Sequence, residues 1–156
     1  MGFASREWIN AGNFPQMELW ELSARECIRD TVARYNHAGD AGRYEDMIAC
    51  FADDGVLAVV GGESHRGHAE LRTFLSGVGE TATPGFSSLR HCVTNLLIDV
   101  ESPDTASGRS YFQVLTDIGL DHWGRYRDRF VRTADRWLLV HRSGKTDGYT
   151  PGSYFA

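Results

Sequence analysis

From residue 88 to residue 144 the chain keeps a period of two, and this long alternation limits the fold more than any other feature. Four stretches carry it, at about 88–101, 106–119, 122–133 and 136–144. Each is rich in aliphatic, aromatic and β-branched residues, as a half-buried strand must be. The links "SPDTAS", "GLD" and "TADR" are too short for crossovers, so neighbouring strands pair antiparallel in a meander. A meander buries one face, and something else must cover it. The covering material lies ahead, where the period is helical, and the class is therefore α+β.

A first helix is expected from the capping box "SARE", in which Ser23 and Glu26 each satisfy an amide of the first turn. Ile28, Val32 and Tyr35 then share one face, and Gly39 marks the end. "RYEDMIACF" reads as a short second helix that buries Met47, Ile48 and Phe51. "ADDG" reads as a turn, "VLAVV" as a strand and "GGESHRG" as a turn with a short returning strand. "HAELRTFLSGV" is a third helix with Leu71, Phe74, Leu75 and Val78 on one side, and "GETATPGFSS" is a loop. Residues 1–21 read as an irregular arm whose Trp8, Phe14 and Trp20 pack on the body. Residues 22–147 form a single domain, and 148–156 a tail or lid. A strongly curved sheet wrapped against the helices would leave a pocket between them.

The totals narrow the function. Hydrophobic residues make up 42 % of the 156, a globular composition. The net charge of −5 argues against a nucleic-acid partner, and the arginines of "RYRDRFVR" alternate like a solvated strand face. Three cysteines without framework spacing read as free thiols in a reducing compartment. No apolar run is long enough to span a bilayer, and "MGFASREWINAGNF" has no secretion signature, so the expectation is a soluble cytoplasmic protein without a membrane partner.

Four polar residues are placed inward by the local pattern: Tyr35 on the apolar face of the first helix, Asp40 just past Gly39, His91 on the face of Val93 and Leu97, and Arg142 on the face of Leu138 and Val140. Each alone has an ordinary explanation: a core tyrosine, a turn aspartate, a packed histidine, a surface arginine. Together they are the equipment for removing a proton beside a carbonyl. A carboxylate on one ring nitrogen of a histidine fixes the tautomer and strengthens the other nitrogen as a base. A tyrosine can bind or protonate a leaving oxygen, and an arginine can stabilise an enolate. Phe51, Val59, Phe74, Phe112, Trp123 and Tyr126 are candidates for the pocket wall, and Asn95, on the face of His91, for orienting a substrate oxygen. Glu63, His65 and His68 in "ESHRGH" lack the third or fourth partner of a metal site, so no metal is expected. No glycine pattern opens a helix after a strand as a phosphate loop must. Cys92 alternates away from His91, and His37 falls on the exposed side of its helix.

The order "YNHAGDAGRYEDMIACFADDGV", "SHRGHAEL", "RHCVTNLLIDV", "GRYRDRFVRTADRWLLVHR" resembles the SnoaL-like branch of the nuclear-transport-factor-like superfamily, over residues 22 to 147. The resemblance implies a cone-shaped α+β barrel, its N-terminal helices packed on a curved, mixed, mainly antiparallel sheet around a deep apolar pocket. It implies the residue set of scytalone dehydratase, hexachlorocyclohexane dehydrochlorinase and bile-acid dehydratases: Asp40 and His91 as the base, Arg142 on the last long strand, and Tyr35 as in the bile-acid type. The expected activity is a cofactor-free elimination, a dehydration of a small, apolar, cyclic hydroxy-carbonyl compound of polyketide, steroid or related type. Cyclisation, isomerisation and dehydrohalogenation share its first step. A non-catalytic partner subunit is the alternative, with a filled cavity and an Asp40 and His91 that do not meet; a small-molecule carrier is another. A homo-oligomer, dimer or trimer, is expected from an apolar outer face at Cys92, Leu96, Ile98 and Val100.

Overall fold

The computed structural model describes residues 16–81 and 88–156. Trp8, Phe14 and the side chain of Val78 lie outside them. Helix α1 runs from Leu19 to Asp40, longer at both ends than its sequence signals. Leu19, Trp20 and Leu22 already lie in its first turn, so Ser23 is interior and caps nothing; Glu18 occupies the N-cap position. Trp20 therefore belongs to the helix and stays half exposed rather than packing as part of an arm. The buried stripe Ala24, Ile28, Thr31, Val32, Tyr35 has the expected helical spacing. Gly39 does not stop the helix. The stop comes at Gly42, whose φ of +66° suits glycine. The Gly42 amide donates to the Gly39 carbonyl at 3.0 Å and that of Arg43 to Ala38 at 2.8 Å, which is a Schellman closure. Asp40 is thus the last helical residue, held by a rigid helix end and not by a loop.

Helix α2 (Tyr44–Ile48) is followed by strand β1 (Phe51–Val59), strand β2 (Ser64–Arg66), helix α3 (Gly67–Thr81) and strands β3 (Arg90–Val100), β4 (Thr105–Thr116), β5 (Gly119–Thr133) and β6 (Arg136–Tyr149). "ADDG" lies within β1 as a bulge: the register against β6 jumps from Phe51 opposite Leu139 to Val56 opposite His141. The β4–β5 turn falls on residues 117 and 118, two residues ahead of "GLD". The six strands form one open sheet in the order β2-β1-β6-β5-β4-β3, with β1 parallel to β6 and every other pair antiparallel. The helices cover its concave face, as the α+β cone requires.

One end of the cone is solid. Ile28, Ile48, Phe51, Leu71, Ile98, Phe130, Trp137 and Leu139 are buried there. Apolar burial on this scale supplies about 1.5–3 kcal/mol per large side chain and dominates the stability. Phe51 belongs to this core. So do Leu96, Ile98 and Val100, which were expected outside. The cause is a bulge in β3. Thr94 pairs with Tyr111 but Leu97 with Arg109, so one residue is extra, and Asn95 takes it up at a φ of +53°. Beyond the bulge the faces exchange, which turns Leu97 and Asn95 outward and Leu96, Ile98 and Val100 inward. Of the four residues expected at an oligomer contact, Leu96, Ile98 and Val100 are therefore core, while Cys92, ahead of the bulge, is half-buried outside it.

Candidate active site

The other end of the cone is hollow. A cavity of about 670 Å³ opens between α1, α2, α3, the inner face of the sheet and the chain's last residues. Val59, Phe74, Phe112 and Tyr126 line it as expected, with Leu57, Tyr44, Met47 and Leu75. Phe112 and Tyr126 stack with centroids 4.6 Å apart. They can do so because Gly124 leaves room: a Cβ there would lie 2.6 Å from Phe112 Cζ. Trp123 points outward over Gly148 and takes no part in the wall. His65 stacks on Phe74 at 4.1 Å, and His68 Nε2 lies 3.2 Å from the Phe51 carbonyl, so these two histidines serve packing. Cys27, Cys50 and Cys92 are free thiols. Among the described residues no helix is long and apolar enough to cross a membrane.

Tyr35, Asp40 and His91 meet at this cavity. His91 Nδ1 lies 2.6 Å from Asp40 Oδ1. The His91 backbone amide donates to both carboxylate oxygens at 3.1 Å. A carboxylate only accepts, so the facing Nδ1 carries the proton and Nε2 keeps the lone pair. Both side chains are largely buried, at 22 % and 10 % exposure. The Schellman end of α1 sets the carboxylate, the start of β3 sets the ring, and a backbone bond locks the two.

Arg142 differs from expectation. It does not line the cavity. It is fully buried and donates to Asp128 through Nε at 2.9 Å and Nη2 at 2.7 Å. Its guanidinium lies between the rings of Tyr35 and Tyr126, 4.4 Å from each centroid. Burial opposes its charge, but Asp128 outweighs burial and holds the proton firmly. Burial pushes the Tyr35 phenol up, with Arg142 pulling the other way. The route inward is again a bulge: Phe130 pairs with Leu139 but Arg129 with His141, so Val140 is extra. Trp137 and Leu139 face in, the phase slips, and Arg142 faces in after them.

The model of the SnoaL-like domain family matches residues 20–143. The chain belongs to this family. Among solved structures, this SnoaL-like chain is similar to a protein of unknown function with a cystatin-like fold from Nostoc punctiforme, at 25 % identity over 88 % of this chain and 98 % of the other, with a TM-score of 0.74. It is similar to a candidate scytalone dehydratase from Novosphingobium aromaticivorans, at 22 % identity over 86 % and 91 %, with a TM-score of 0.75. It is also similar to the hexachlorocyclohexane dehydrochlorinase LinA-type3 from Novosphingobium barchaimii, at 18 % identity over 86 % and 93 %, with a TM-score of 0.73. At such identities the likeness speaks for the fold. No curated protein matches the sequence.

One pair escaped the sequence reading. His122 lines the same cavity, and its Nδ1 lies 2.8 Å from the Oδ1 of Asp121, which is fully buried. Adjacent strand residues normally point to opposite faces. Here Val114 pairs with His122 and Leu115 with Leu120, which leaves Asp121 as the extra residue of a bulge and brings its carboxylate round to the imidazole. The dipeptide "DH" ahead of an aromatic run was the available signal.

Proposed function

We propose that this SnoaL-like protein is a cofactor-free lyase that removes a proton beside a carbonyl and expels a group from the next carbon, with His91 as base. The observation that carries the reading is the 2.6 Å Asp40–His91 pair at the wall of an open, mostly apolar cavity. Asp40 holds Nδ1–H, so Nε2 meets the substrate as a base and the imidazolium it becomes is stabilised beside a carboxylate. Tyr35 binds the developing oxyanion or the leaving oxygen. Arg142, behind the rings of Tyr35 and Tyr126, supplies positive potential to that floor without touching substrate. A volume near 670 Å³ suits a fused-ring ligand, and the names of the dehydratase and dehydrochlorinase relatives point to the same chemistry. Dehydration of a cyclic hydroxy-ketone of polyketide or steroid type is the specific form. The partner-subunit alternative predicts a filled cavity and a separated Asp40 and His91, and both features count against it.

The test is a panel of cyclic β-hydroxy ketones, followed by the rise of enone absorbance, with wild type and His91→Gln. Turnover lost in the variant at unchanged melting temperature is the expected result. Turnover that survives the substitution would remove His91 from the chemistry.

A further inference from the structure

His91 and His122 stand in one row of the sheet. Val114 of β4 pairs with His91 on one side and with His122 on the other. Their Cα atoms are therefore two strand spacings apart, roughly 10 Å, on the concave face that lines the cavity. Both histidines line the cavity, so a flat ring held between them would have one imidazole at each edge.

Both histidines are built alike. Each Nδ1 faces a carboxylate, and each carboxylate also accepts a backbone amide: His91's own for Asp40, and that of Tyr154, at 3.0 Å, for Asp121. Asp121 further accepts from Ser153 Oγ at 2.6 Å and Thr116 Oγ1 at 3.5 Å. These bonds satisfy a fully buried carboxylate and fix His122 with Nε2 as the remaining nitrogen. The groups around the ring are Asp121 on its own strand, His91 on β3, Phe112 on β4 at 6.0 Å, Tyr149 on β6 at 5.8 Å and Phe155 of the C-terminal segment at 5.1 Å. Asp121 is the anion nearest to it, and His91 is the neighbouring cation when protonated.

We propose that His122, oriented by Asp121, is the second proton-transfer residue of this site and the acid that protonates the leaving oxygen. This rests on the elimination reading above. The step balances as follows. His91 Nε2 takes the α-proton, and the C–H pair becomes the new C=C bond. The C–O bond breaks, and the departing oxygen takes the proton of the His122 imidazolium and leaves as water. His91 ends protonated and His122 neutral, and one proton passing between them through solvent resets the site. Burial disfavours the His122 imidazolium and Asp121 favours it, which makes the ring a ready donor once charged.

Two probes separate the roles. 3-Hydroxy-1-tetralone must lose hydroxide and needs an acid. 5-Nitrobenzisoxazole needs only a base, because its leaving group is a stable phenolate. His91→Gln is expected to abolish turnover of both. His122→Gln is expected to cost about 10²-fold or more on the hydroxy-ketone and little on the benzisoxazole, whose survival shows an intact fold. Equal loss on both, or loss on neither, would overturn the role of His122 and leave that of His91 standing. Should wild type turn over neither, the elimination reading falls and this inference with it. The pH profile of wild type needs no variant: a bell is expected for the hydroxy-ketone, with a single rise toward high pH for the benzisoxazole. A single rise for both would refute an acid.

Discussion

Replacing Asp128 by Asn asks whether Arg142 belongs to the scaffold or to the ligand. Both side chains are wholly buried, and two hydrogen bonds of 2.9 and 2.7 Å join them. Asparagine keeps the shape and removes the counter-charge, which leaves a buried guanidinium unpaired. Breaking such a pair costs about 3–5 kcal/mol. The faces of Tyr35 and Tyr126 still stabilise the cation, each by an amount on the order of 1 kcal/mol, so the lower end applies. A loss of about 3 kcal/mol lowers the melting temperature of a chain this size by roughly 10 °C. The double variant Asp128→Leu with Arg142→Met removes both charges at similar volume and is expected to recover most of the loss. Urea unfolding followed by circular dichroism at pH 7 measures all three proteins. A loss below about 1 kcal/mol for Asp128→Asn would refute the argument, because the guanidinium would then have a partner or solvent that its burial denies it.

Asp40→Asn is expected to turn the His91 tautomer over, since an amide N–H facing Nδ1 forces the ring proton to Nε2; long-range ¹H–¹⁵N spectra read this directly, and elimination should fall about 10³–10⁴-fold. Gly42→Ala places a Cβ in open space but at a φ of +66°, so unfolding measurements should show a backbone cost of about 1 kcal/mol. Burial pushes the His122 imidazole down against the pull of Asp121, so the unfolded chain takes up that proton before the folded one. Stability from this group is whole above about pH 6.5 and is lost as pH falls toward the lower value at which the folded ring titrates. His122→Gln should flatten that part of a urea-midpoint profile, and an unchanged slope would contradict it.

The fold was readable because period and link length survive local irregularity. The meander and the leading helices follow from such features, whereas the pairing of Asp40 with His91 is implied by the family resemblance and not by period or link length. The errors at Asn95, at the Asp121–His122 pair and at Arg142 share one physical origin. Asn95, Asp121 and Val140 are each one residue too many for strict alternation, and beyond each the two faces exchange. Counting by twos placed Asn95 in the pocket and Leu96, Ile98 and Val100 outside it. It put Arg142 on the face of Leu138 and Val140, when it follows Trp137 and Leu139. It hid the Asp121–His122 pair, whose members should have parted. A bulge has no strong composition of its own, and only Asn95, with its tolerance of positive φ, hints at one. The capping box failed differently: Leu19, Trp20 and Leu22 extend the helix past a signal that fits equally well inside it.

The bulge at Asn95 gives β3 an unusual tolerance. Deleting a residue from a strand ordinarily turns everything beyond it inside out. Deleting Asn95 would not. His91, Val93, Leu96, Ile98 and Val100 would then follow one another at intervals of two, all still facing the interior. The hydrophobic layer would close as before along a straighter strand. What would change is the bend between Thr94 and Leu97, and with it the angle at which His91 leaves the sheet to meet Asp40. The layer that seats β3 on the core and the bend that follows His91 are thus set by different residues of a single strand.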